Sequence, residues 1–145
     1  MKKLILIFII LVSVGVAGHP HSGLWQIKHW DQHFYTEVYF QAELDIWIFE
    51  YNSYLRNLDG EPTKKVATSQ YMSGRYFKLK GVYKNIIVCK VEKRLFNNKP
   101  SNFHDENGKP FMFAFRLTSD STATFGRVVG LDVYESYSFV KKDIP

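Results

Sequence analysis

The chain has 145 residues, of which 46% are hydrophobic, 17% aromatic and 23% charged. That length fits one domain and excludes two ordinary ones, and 12 Phe, 9 Tyr and 3 Trp exclude a disordered or low-complexity chain. A single cysteine, Cys89, excludes an intrachain disulfide framework and a cysteine-built zinc site.

Residues 1–18 read as a secretory signal peptide. Lys2 and Lys3 supply the positive region, Leu4 to Val14 the apolar stretch, and Gly15, Ala17 and Gly18 the small residues. Cleavage is expected after Ala17 or Gly18, and the apolar run is shorter than the ~20 residues of a spanning helix. The expected product is an exported domain over residues 19–145, periplasmic or secreted, with no stable membrane insertion after cleavage. Loss of Lys2 and Lys3 from the 19 basic residues leaves 17 against 14 acidic ones, a net +3. The cations are scattered, which speaks against a nucleic-acid partner. Cys89 lies inside Ile86-Ile87-Val88-Cys89 and reads as a buried strand residue.

In chain order, short apolar or alternating runs predict strands at 24–29, 34–41, 44–54, 66–72, 75–80, 85–96, 111–118, 122–129 and 132–141. Breaks fall at 57–60, at Gly81, across 97–110, at 119–121 and at Gly130. No stretch keeps a helical apolar period for three turns. Alternation places Phe111, Phe113, Phe115 and Leu117 on one face, and Trp47, Phe49 and Tyr51 on the face opposite Leu44, Ile46 and Ile48. Eight or nine short antiparallel strands of this kind predict an all-β closed barrel or a sandwich; a barrel removes exposed edges, and an antiparallel up-and-down barrel is the expected fold.

The mature chain opens Ser22-Gly23-Leu24-Trp25, and its last strand ends Phe139-Val140-Lys141-Lys142. Gly-x-Trp at the first strand, with a basic residue ending the last, resembles the lipocalin and fatty-acid-binding superfamily. Ser73-Gly74-Arg75-Tyr76-Phe77 and Phe115 to Thr122 are similar to strands of small exported lipocalin-like domains of Gram-negative bacteria, including uncharacterised families of the Bacteroidetes. The resemblance implies that Gly23 opens the first strand, that Trp25 closes the barrel floor, and that Lys141 or Lys142 packs over the indole. It also implies non-covalent binding of a small apolar molecule, without catalysis and without a cofactor. The disulfide and the Thr-Asp-Tyr triplet of ligand-carrying members are missing here.

Trp47, Phe49, Tyr51, Tyr76, Phe111, Phe113 and Phe115 are the candidate ligand-binding wall, with Arg75 a candidate anchor for a carboxylate. The opposing reading is that these rings fill a small barrel themselves, leaving a solid protein-binding module that presents a surface or the Ser101–Pro110 loop. Alternation turns Arg116 outward, opposite Phe115 and Leu117. His19, His21, His29 and His33 read as a solvated leader rather than metal ligands, and no metal site is expected. Glu37, Glu43, Asp45 and Glu50 read as an outer face, and no nucleophile elbow, phosphate loop or zinc-protease motif is present.

Overall fold

The structure, a computed structural model, describes residues 20–28, 31–130 and 132–142. The expected signal peptide and the histidines His19 and His29 lie outside them. Ten strands form: β1 (Gly23–Ile27), β2 (Phe34–Glu43), β3 (Ile46–Arg56), β4 (Pro62–Lys78), β5 (Ile86–Lys90), β6 (Lys93–Phe96), β7 (Lys99–Pro100), β8 (Met112–Leu117), β9 (Thr122–Val129) and β10 (Asp132–Lys142). All pair antiparallel in one sheet, and the β3–β4 and β1–β10 pairings close eight of them into a ring. Around that ring the order β1-β2-β3-β4-β5-β8-β9-β10 follows the chain, so the barrel runs up and down. The β6–β7 hairpin extends from β4 as a side branch.

Among the boundaries that differ from the sequence expectation, three have a clear local reason. The break placed between residues 72 and 75 does not exist, because β4 runs unbroken for 17 residues. Gly74 is not a turn here but a close approach: a Cβ built on it would stand 1.9 Å from the Lys90 carbonyl oxygen. That carbonyl belongs to the bend at Val91–Glu92, which splits the expected 85–96 strand into β5 and β6. Leu44, expected inside a strand, instead forms a two-residue turn with Asp45. Both have positive φ (49° and 67°), the backbone of a type I′ hairpin, without the usual Asn or Gly signal.

Antiparallel connectivity gives the barrel two ends. One, the floor, gathers the start of β1, the Leu44–Asp45 turn, the β4–β5 connection with its 3-10 turn (Gly81–Tyr83), the β8–β9 turn and the end of β10. The other gathers the opposite strand ends. Alternation sends Trp25, Phe40, Trp47, Phe49, Phe115, Phe125 and Phe139 inward, and all are essentially fully buried. Phe40 stacks on Phe115 at 4.3 Å between ring centroids, while Phe125 stacks on Phe49 at 4.8 Å and on Phe113 at 4.9 Å. Ring pairs at these spacings add attraction beyond their buried area. The core is therefore a stack of aromatic planes.

Candidate functional site

At the floor, Trp25 donates its indole N–H to the His21 carbonyl at 3.1 Å and meets Phe115 edge-on at 5.4 Å. Of the two basic candidates, Lys141 is the one over this indole, its Nζ 5.5 Å from the ring centroid. Gly23 lets it reach there, since a Cβ at that position would come 3.1 Å from Lys141 Cε. Lys142 points elsewhere, pairing with Glu37 Oε1 at 2.6 Å and with the Tyr35 hydroxyl. His21 corrects the reading of the histidines as a solvated leader. It is 3% exposed, donates from Nε2 to the Asn85 carbonyl at 3.0 Å, and packs edge-on against Phe115. Burial, with Lys78 and Lys141 nearby, holds its pKa below the ordinary value. His33 is exposed beside Gln32.

The candidate wall residues divide in two. Trp47, Phe49 and Phe115 are in the core, each in contact with other rings or, for Trp47, donating its indole N–H to Lys90 O at 2.8 Å. Tyr76 is also buried, and its phenol pKa is pushed up by that burial. Tyr51, Phe111 and Phe113 pack against the core without being fully buried. Arg127, not singled out in the sequence, lies over Phe111 at 4.1 Å. Arg75 is not brought to this interior. Its side chain is 67% exposed and pairs with Glu92 at 2.8 Å, because inward positions on β4 go to Met72, Gly74 and Tyr76. Arg116 is on the outer face, paired with Glu135 at 2.6 Å. The Ser101–Pro110 loop tucks Phe103 against the core. Burial raises the Cys89 thiol well above its ordinary pKa, which keeps it protonated.

The open feature is elsewhere. β1 is only five residues long and pairs with β2 no further than Gln26. Among the described residues, Phe34, Tyr35 and Thr36 at the start of β2 are therefore paired with β3 alone. Beside that gap lies a cavity of about 340 Å³, lined among others by Ile27, Phe34, Thr36, Tyr51, Ser53 and Arg56. Ile27, Phe34 and Tyr51 give it apolar walls. Thr36 donates to the Ser53 hydroxyl at 3.4 Å, and Ser53 is 5% exposed. Arg56 fixes the rim by donating to the carbonyls of Asp31 and Gly60, both at 2.8 Å. Tyr51 in turn meets Tyr137 at 6.1 Å, and burial beside Tyr51 raises the Tyr137 phenol pKa. Of these residues only Tyr51 was anticipated. The available signal was that Ser53 continues the inward phase of Trp47, Phe49 and Tyr51, a small polar residue where a ring is expected.

Among the described residues no three His, Cys, Asp or Glu side chains converge on a metal-sized site, and no helix is long and apolar enough to cross a membrane. Fold and site together define a closed eight-strand up-and-down barrel with an aromatic interior and, among several surface hollows, a cavity beside its short first strand. No protein-family model, curated protein or solved structure matches the chain.

Proposed function

We propose that this chain is an exported, lipocalin-like, non-enzymatic barrel that binds a small, largely apolar molecule in the side cavity beside the short first strand. The observation that carries the reading is the cavity itself, about 340 Å³, where Ile27, Phe34 and Tyr51 form an apolar side and Gln26, Lys28, Asp31, Arg56 and the Thr36 and Ser53 hydroxyls a polar one. The stacked rings occupy the deep interior, and the ligand is placed at the wall rather than on the barrel axis. Its apolar part lies against Ile27, Phe34 and Tyr51, and its polar end faces Thr36, Ser53 and the Arg56 rim. Trp25 under Lys141, in the arrangement that the lipocalin resemblance implies, supports the family reading.

The test is titration of an apolar fluorescent probe into the chain from His19 onward, with native mass spectrometry of the same sample. The expected outcome is saturable one-to-one binding that Thr36→Phe abolishes while the thermal transition is retained. No saturable binding, together with a bare monomer mass, overturns the reading. The filled interior would then favour the second one, a solid barrel that offers its outer surface to a protein partner.

A further inference from the structure

The end of β4 and the β4–β5 connection form an exposed apolar and basic stretch at the barrel floor. Every residue from Phe77 to Lys84 is exposed. Within it Phe77 is 57% exposed, Val82 87% and Tyr83 60%, and these apolar side chains alternate with Lys78, Lys80 and Lys84. The whole sequence between Glu61 and Glu92 contains no Asp or Glu, so the connection carries positive charge without internal neutralisation. The neighbouring hairpin adds Leu44, 85% exposed, and Ile46. Leu44 and Phe77 line one shallow depression together, and Tyr76 N–H donates to the Asp45 carbonyl, which binds the two tips to each other. Asp45 is the exposed acid beside them.

An exposed apolar cluster is costly in water unless something covers it. Here the apolar tips are interleaved with lysines, whose alkyl stems lie along apolar surface while their heads reach phosphate. A protein core seldom accepts that interleaving, whereas a headgroup layer accommodates both components. The chain enters the barrel at this same end through Pro20 and His21, and His21 is hydrogen-bonded to Asn85 at the end of the connection.

We propose that the barrel floor docks on an anionic lipid bilayer, with Phe77, Val82, Tyr83 and Leu44 at headgroup depth and Lys78, Lys80 and Lys84 on lipid phosphates. This contact uses the end of the barrel away from the side cavity, and it stands or falls independently of ligand binding there. The orientation it sets leaves the side cavity open to solvent.

Co-sedimentation with phosphatidylcholine vesicles, with and without phosphatidylglycerol, tests it. The sample is the chain from His19 onward, whose residues 20–142 supply every strand of the closed ring and its core. Binding is expected only with phosphatidylglycerol and should weaken as salt is added. Replacing all three lysines (Lys78→Gln, Lys80→Gln, Lys84→Gln) should weaken it roughly a hundredfold, from about a fivefold loss per cation at an anionic surface. Val82→Ser with Tyr83→Ser should weaken it roughly tenfold, and because both side chains are exposed the barrel should melt unchanged. Absence of binding to phosphatidylglycerol vesicles overturns the proposal, as does binding indifferent to either set of substitutions. A dimer in sedimentation velocity that Val82→Ser with Tyr83→Ser dissolves also overturns it, making the patch a self-association surface.

Discussion

The floor of the barrel and its side cavity are built from the same alternating strands, yet they differ in what faces inward. At the floor the inward positions hold Trp25, Phe115 and a buried histidine, packed together, with the Trp25 indole N–H bonded to the His21 carbonyl and His21 Nε2 to the Asn85 carbonyl. At the cavity the inward positions on β2 and β3 shrink to Thr36 and Ser53, and β1 has already ended. A barrel this narrow is filled wherever its inward residues are large and opens where they are small and a strand stops short. The packed floor and the proposed binding cavity thereby fall at opposite ends.

The comparison breaks most visibly at Trp25. Trp25→Ala removes a fully buried indole together with the hydrogen bond to His21 and the contact with Lys141, and should cost about 3–5 kcal/mol. Urea denaturation measures it, and a loss below about 1 kcal/mol would show that the floor is not the stabilising end.

His21 sharpens it with an intermediate effect. Burial lowers its folded pKa from the ordinary 6.5, so below that value the unfolded chain binds a proton that the folded one resists. The stability that neutral His21 provides is present above pH 6.5 and is lost as pH falls through the lowered pKa. The thermal midpoint should therefore drop on acidification below that pH, and His21→Gln should flatten the drop. An unchanged slope in the variant would place the acid sensitivity elsewhere.

The smallest change is expected at the cavity. Ser53→Ala deletes one long hydroxyl contact and should shift stability by less than about 1 kcal/mol. A loss as large as that at Trp25 would mean that the cavity is a structural joint and not a binding site.

Alternation alone made the aromatic face of β3 legible, and Phe111 to Leu117 likewise, because a side chain's face follows from residue parity once a strand exists. Parity also turned Arg116 outward. It did not place Arg75, whose orientation depends on β4 continuing through Gly74 instead of breaking there. The pair Ser73-Gly74 looks like a turn locally, and only the Lys90 carbonyl lying against it shows why the glycine is needed. The Leu44–Asp45 turn was hidden for the opposite reason. Two residues that rarely take positive φ are held there by the β2–β3 register from Phe34↔Leu55 to Glu43↔Ile46.

By itself, then, the sequence determined an all-β fold, its approximate strand count, and which rings share a face. These depend on neighbours one or two residues apart and on composition. The tertiary structure decided that the rings meet in the barrel, that His21 is buried, and that a cavity lies beside β1. Each of those depends on residues far apart in the chain, such as Phe40 with Phe115 or His21 with Asn85. Whether an inward ring lines a cavity or closes it is set by the distance to the opposite wall, and that distance exists only once the eight strands have closed.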